Sequence, residues 1–271
     1  MNAILFHMPP FFRLTGSTIN AIEYFLCAYE YNSDIKLLIL NGTSVTKMRF
    51  IELIRNRYND IDETCFNNII YISKYRLVQE RLNTVLVLDY GTIRETKGLL
   101  NANKILVISE KYTDNPDYFY HKLFYNVEYY GEMPFHYKDI NYRMKCLFNK
   151  YKKLNEVTEG TYINSPYNND TIAIKSLFKR YVPEPMFFKS KEKHKNNLFE
   201  SFTHYLYYHA NKWFDPHPRL FLECCFYNKE IIYYNPHRIK DGSWYRYNDI
   251  MDNGIYDRTL TKDDIIIGQL I

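Results

Sequence analysis

The residues best arranged to do chemistry lie in one stretch, 209–235, which reads HANKWFDPHPRLFLECCFYNKEIIYYN. Asp215 stands where a helix N-cap is expected, and Pro216 takes the first helical position. The first N–H groups of such a helix have no partner inside it, and its dipole is positive at that end, so it favours an anion. Arg219 adds a planar cationic fork within the first turn. Glu223 follows at i+4 from Arg219, and a carboxylate there can accept two hydroxyl hydrogen bonds from a ribose. Diphosphate at the helix start and ribose at the carboxylate together describe a handle for a nucleoside diphosphate. The same residues also fit a structural N-cap and an i,i+4 surface ion pair.

A second candidate region is the loop at 7–17, between a short apolar run and a helical pattern. Gly16-Ser17 would let backbone N–H groups approach a phosphate or an acceptor, although the three-glycine dinucleotide fingerprint is absent. His7 and His209 each fall at the end of an expected strand, as does Asp89. Open α/β sheets place ligands at that end. No grouping of His, Cys, Asp or Glu has metal-ligand spacing. No Walker loop, Ser/His/Asp order or helix-borne His pair is present either.

The elements that must position these residues alternate along the chain. Apolar runs at 3–6, 35–40, 69–72, 85–88 and 104–108 read as strands buried on both faces. Helical patterns at 16–29, 46–57 and 76–82 lie between them, so a doubly wound parallel sheet is expected. The aromatic-dense stretch 118–135 has no clear period, and a basic amphipathic helix is expected over 138–153. A second, smaller α/β unit follows. Its expected strands are at 161–164, 185–189, 205–208 and 230–234, and its helices at 170–180 and 216–227. The boundaries expected are an N-terminal lobe at 1–155, a C-terminal lobe at 156–250 and a polar, poorly periodic tail at 251–271. A basic loop at 189–195 reads as solvated.

The 209–235 stretch resembles the GT-B glycosyltransferases. That family often carries an acidic residue, seven residues, then a Glu, followed by a small-residue helix, a Gly-Lys turn and an apolar strand. Here Asp215, Glu223, Cys224, Cys225, Asn228, Lys229 and Ile231-Ile232 take those places. The chain departs from the pattern at Asp215 (commonly Glu), Asn228 (commonly Gly) and Glu230 (commonly Pro), and it is shorter than most members. The resemblance implies two Rossmann-like lobes with the second one small. It implies a hexosyl- or pentosyltransferase that uses a nucleoside-diphosphate sugar as co-substrate, with no bound metal and no other cofactor. The donor-binding residues would be Gly16, Ser17, His209, Arg219, Leu220 and Glu223. The catalytic residues would be Asp215 and His7.

Composition narrows the class further. Apolar residues make up 46% and charged residues 24%, which supports a folded core and excludes a disordered chain. No run approaches the ~18 apolar residues of a membrane span, and no secretory leader is apparent. Five cysteines without a CxxC read as reduced core thiols in a cytoplasmic protein. Abundant Ile, Asn, Lys and Tyr suggest an AT-rich coding genome, as in a phage or a low-GC bacterium. A phage origin would make a modified DNA base one candidate acceptor, beside glycans and small molecules. The net charge of +4 permits an anionic partner. The competing class is a non-enzymatic nucleic-acid-binding or scaffold protein that uses the basic stretches and the 28 tyrosines for stacking.

Overall fold

Strands whose residues are apolar on both faces must be covered on both, and the strands between Ala3 and Ser109 obey that constraint. The structure is a computed structural model. It describes residues 1–8, 16–109, 126–131, 152–164, 171–180, 182–188, 196–208, 223–224, 227–234, 245–246 and 262–271. The chain divides into two units. Unit 1 is Met1–Lys152 with Arg258–Ile271, and unit 2 is Lys153–Asp257.

Unit 1 is built on β1 (Ala3–His7), β2 (Lys36–Leu40), β3 (Ile69–Ile72), β4 (Leu82–Leu88), β5 (Ala102–Ser109) and β6 (Val127–Gly131). Their order is β3-β2-β1-β4-β5-β6, and every neighbouring pair is parallel. The chain therefore winds outward from β1 in one direction, returns, and winds outward from β4 in the other. This is a doubly wound order, with its reversal between β1 and β4. One face carries Leu5, Leu38, Val85, Val87, Ile105 and Val107, covered by Leu77 and Ile93 from α3 (Lys74–Gln79) and α4 (Asp89–Thr96). Among the remaining helices, α1 is Gly16–Tyr29 and α2 is Ser44–Arg57, whose Phe50 ring lies 6.4 Å from Phe6.

Local signals account for several boundaries. The second helix starts at Ser44, earlier than its apolar period suggests, because Thr43 and Thr46 cap each other reciprocally. Ser73 caps α3 by accepting from the Arg76 N–H, so that helix begins at Lys74 and Leu82 is released to β4. The aromatic-dense stretch holds an unanticipated strand: Val127–Gly131 extends the sheet beside β5, as its Val and Tyr residues favour.

The C-terminal stretch also differs from expectation, since α6 (Lys262–Leu270) belongs to unit 1. Ile266 and Leu270, one turn apart, are buried, and the amides of Asn2 and Asn32 donate to the Leu270 carbonyl. Those bonds satisfy one of the carbonyls that a helix end leaves open.

Unit 2 contains β7 (Thr161–Asn164), α5 (Thr171–Phe178), β8 (Met186–Phe188), β9 (His204–Tyr208), β10 (Glu230–Tyr234) and β11 (Tyr245–Arg246). The sheet order is β11-β10-β9-β7-β8, parallel except for the short antiparallel edge β11. Here the strand order reverses between β7 and β9. Alternate residues separate two faces. Ile163, Leu206 and Ile232 meet Ile174 and Phe178 of α5 on one side. Tyr162 and Tyr205, partners in register, stack at 5.9 Å on the other, where Phe202 joins them.

Among the described residues, no helix is long and apolar enough to cross a membrane. The reading of all cysteines as reduced is corrected: Cys27 is disulfide-bonded, while Cys65 and Cys224 are free and buried.

Candidate functional site

The point where the strand order reverses is where an open parallel sheet leaves a crevice at its carboxyl edge. In unit 1 that edge is formed by the ends of β1 and β4, and His7 is the last residue of β1. The His7 backbone N–H donates to Oγ1 of the buried Thr92 at 2.8 Å, tying β1 to α4. Its ring Nε2 lies 3.2 Å from Asn41 Nδ2 at the end of β2. An amide N–H can only donate, so Nε2 accepts and the ring proton of neutral His7 sits on Nδ1. Asn41 holds this position in a left-handed conformation, φ 59°, which Asn tolerates better than most residues. Its own N–H is bonded to the Ile72 carbonyl of β3.

Charged groups surround this junction. Lys74 Nζ is 2.8 Å from Glu95 and Arg94 is 3.1 Å from the same carboxylate, so one anion serves two cations. Burial, the largest influence, pushes the His7 pKa below its usual value. Glu95 opposes that shift, and Lys74 and Arg94 reinforce it. Hydrogen bonding from Lys74, ahead of its charge and the Arg94 contact, holds Glu95 below the usual carboxylate range. The result is a neutral imidazole acceptor beside a cluster of net positive charge. Gly16 and Ser17 open α1, whose N-terminus follows β1 at the same edge of the sheet. Residues 9–15, between them and β1, lie outside the described residues.

The second candidate segment joins β9 to β10, which are adjacent and parallel. His209, Asp215, Arg219 and Leu220 lie outside the described residues, as do 189–195 and most of the expected basic helix. Glu223 and Cys224 are helical and fully buried. The helix end follows the anticipated chemistry. Asn228 adopts φ 51°, and the Lys229 N–H reaches back to the Cys224 carbonyl at 2.8 Å, the long bond of a Schellman turn. Lys229 is not a surface cation. It is 3% exposed, donates to the Phe202 carbonyl at 2.8 Å and lies 5.3 Å from that ring's centroid. Desolvation pushes its pKa down, opposed by Cys224 and Glu200. Glu223 presents its carboxylate to the interior. A ribose can reach it only by replacing the groups that now enclose it.

The structure thus brings His7 to the crevice edge and puts Gly16 and Ser17 at the start of the adjoining helix. Sequence reading missed Asn41 and Thr92 as partners of His7, and Lys74, Arg94 and Glu95 as its electrostatic surroundings. The Asn41-Gly42 pair after a strand was the one available signal. Gly42 allows a tight turn there, since a Cβ would lie 2.8 Å from Ile39 Cγ2. A cavity of about 260 Å³ lined by Leu26, Tyr29, Glu30, Ile61, Asp62 and Cys65 lies at the opposite end of α1, away from this edge. Among the described residues, no group of three His, Cys, Asp or Glu side chains could hold a metal ion. No protein-family model matches the chain, and no curated protein or solved structure is significantly similar to it.

Proposed function

We propose that the protein is a GT-B-like glycosyltransferase that moves a hexosyl or pentosyl group from a nucleoside-diphosphate sugar to an acceptor hydroxyl. The observation that carries this reading is the pair of separate parallel sheets, each with its own reversal of strand order, with the 209–235 motif spanning adjacent parallel strands of the second. Donor binding falls mainly to unit 2, through His209, Arg219, Leu220 and Glu223, with Asp215 as a catalytic residue near the transferred sugar. Acceptor binding falls to the carboxyl edge of unit 1.

In the transfer, the acceptor oxygen forms a bond to the anomeric carbon as the bond from that carbon to the diphosphate oxygen breaks. Negative charge grows on the leaving diphosphate, where Arg219 and the helix N-terminus would stabilise it more in the transition state than in the ground state. The acceptor's proton passes to His7. The depressed pKa keeps that ring neutral near pH 7, and its Nε2 lone pair, which now accepts from the Asn41 amide, would become free for that proton once the acceptor hydroxyl displaces Asn41.

Calorimetry against a panel of nucleoside diphosphates and their sugars tests the reading. One nucleotide class should bind, and Glu223→Gln should weaken it by about 1–3 kcal/mol, the scale of a charged hydrogen bond. The absence of binding by any member of the panel would remove the transferase reading. Equal affinity in the variant would remove only Glu223.

A further inference from the structure

Asn41 is fixed by its main chain, and that leaves its side chain for other work. Its N–H is bonded to the Ile72 carbonyl of β3 at 3.0 Å, its φ is 59°, and the Gly42 N–H closes the turn onto the Ile39 carbonyl at 3.2 Å. Thr43, two residues on, caps α2. The residue is thus pinned by β2, β3 and α2 together. Register decides what its amide meets. His7 and Leu40 are partners across β1 and β2, so the residue after Leu40 comes to lie beside the His7 ring, with Nδ2 at 3.2 Å from Nε2. Among the described residues, that ring is the one hydrogen-bond partner of the Asn41 amide. A residue serving only the left-handed turn needs no such partner, since Gly takes the same φ without strain.

Asn41 is exposed, so a group from solution can reach the gap between amide and ring. What can enter is set by hydrogen-bond type. The amide nitrogen only donates, and Nε2 only accepts. A group seated between them must accept from one and donate to the other, which a hydroxyl does through its single oxygen. An ammonium has no lone pair for the Asn41 N–H, and a carboxylate has no proton for Nε2. An alkylamine is an ammonium at neutral pH, so it is rejected too. We propose that Asn41 sets the tautomer of His7 and selects a neutral hydroxyl as the group that sits on Nε2. The tautomer half stands by itself. As the seat of the acceptor hydroxyl, the pair rests on the transferase reading.

Nitrogen NMR of the full chain, labelled at its histidine rings, reads which nitrogen holds the proton, and His7→Gln assigns the signal. Neutral wild-type His7 should be protonated at Nδ1 and bare at Nε2. Asn41→Asp keeps a residue that tolerates the left-handed backbone but exchanges a donor for an acceptor. Nε2 must then carry the proton, so the tautomer inverts. The added charge should also raise the His7 pKa, acting with Glu95 and against Lys74 and Arg94. Asn41→Gly preserves the backbone and removes the amide, so both tautomers should coexist. Thermal melts confirm folding, and if the Asp variant fails to fold, the Gly variant decides.

A wild-type ring protonated at Nε2, or the wild-type tautomer in both variants, overturns the proposal, because Asn41 would then serve the turn alone. The acceptor half is read in a transfer assay. Asn41→Asp should lower kcat by roughly 10²-fold, the low end of what a general base supplies, since Nε2 no longer begins with a lone pair. An acceptor with an amine in place of its hydroxyl should react at least about 10²-fold more slowly with wild type. An inverted tautomer with normal kcat, or equal rates for alcohol and amine, would remove the acceptor seat and leave Asn41 as the residue that orients His7. No turnover of any nucleotide sugar by wild type would remove the transferase reading and the seat with it, and the tautomer would still decide the role of Asn41.

Discussion

Lys74 and Glu95 at the rim of unit 1 keep their charges where water can reach them, while the side chains of Lys229 and Glu223 in unit 2 are buried. The sheets beneath differ in the same sense. Unit 1 fills one face with Leu, Ile and Val, whereas unit 2 stacks Tyr162, Phe202 and Tyr205 on one face and aliphatic residues on the other. Aromatic rings offer a cation a favourable face, which is one reason Lys229 is tolerated beside Phe202. Charge at a carboxyl edge is available to a ligand, whereas a cation that holds a main-chain carbonyl in the core acts through structure. The same residue type in the two units therefore does two kinds of work.

The largest effect expected from breaking this contrast is at Lys229. Truncation to Ala removes the stem packed in the aromatic core and the donor to the Phe202 carbonyl, so unit 2 should lose about 2–4 kcal/mol. Lys74→Ala should change stability by no more than about 1 kcal/mol, as expected for an exposed pair. Urea denaturation of the two variants makes the comparison, and equal losses would show that burial does not separate them.

An intermediate effect is expected at Thr92, which is buried and accepts the His7 N–H. Thr92→Val keeps the shape but removes that acceptor, which should cost about 1–3 kcal/mol and loosen the rim at His7. Hydrogen exchange at the His7 amide reads this directly. Unchanged protection would mean that β1 and α4 are held together without this bond.

The smallest effect concerns pH. His7 has a pKa below its unfolded value of about 6.5, so between the two values the unfolded chain binds more protons than the folded one. Its contribution to stability is present above pH 6.5 and is lost as pH falls through that window toward the folded pKa. His7→Gln should flatten this part of the stability–pH curve, measured by urea titration from pH 7.5 to about 5. An unaltered slope would mean that burial of the ring is relieved in solution.

Much of the scaffold was legible because it depends on neighbours in the chain. Ile69–Ile72, Thr161–Asn164 and Glu230–Tyr234 are short apolar runs with β-favouring residues, and each is a strand. Asn228 was identifiable as a left-handed helix stop because only a few residues tolerate that backbone. The lengthened β4, the strand at Val127–Gly131 and the helix at Lys262–Leu270 were not legible, since caps and packing partners elsewhere decide them.

The amino-acid sequence by itself determined the alternation of strand and helix and the residues offered at strand ends, because hydrophobic period and turn chemistry act over a few residues. Only the tertiary structure decided that β4 sits beside β1, so that His7 meets Thr92 and Asn41 across separations of 85 and 34 residues. It also decided that Lys229 and Glu223 point inward while Lys74 stays in water. Strand order and burial are properties of how distant segments assemble, and no local pattern specifies which end of which strand a side chain will face.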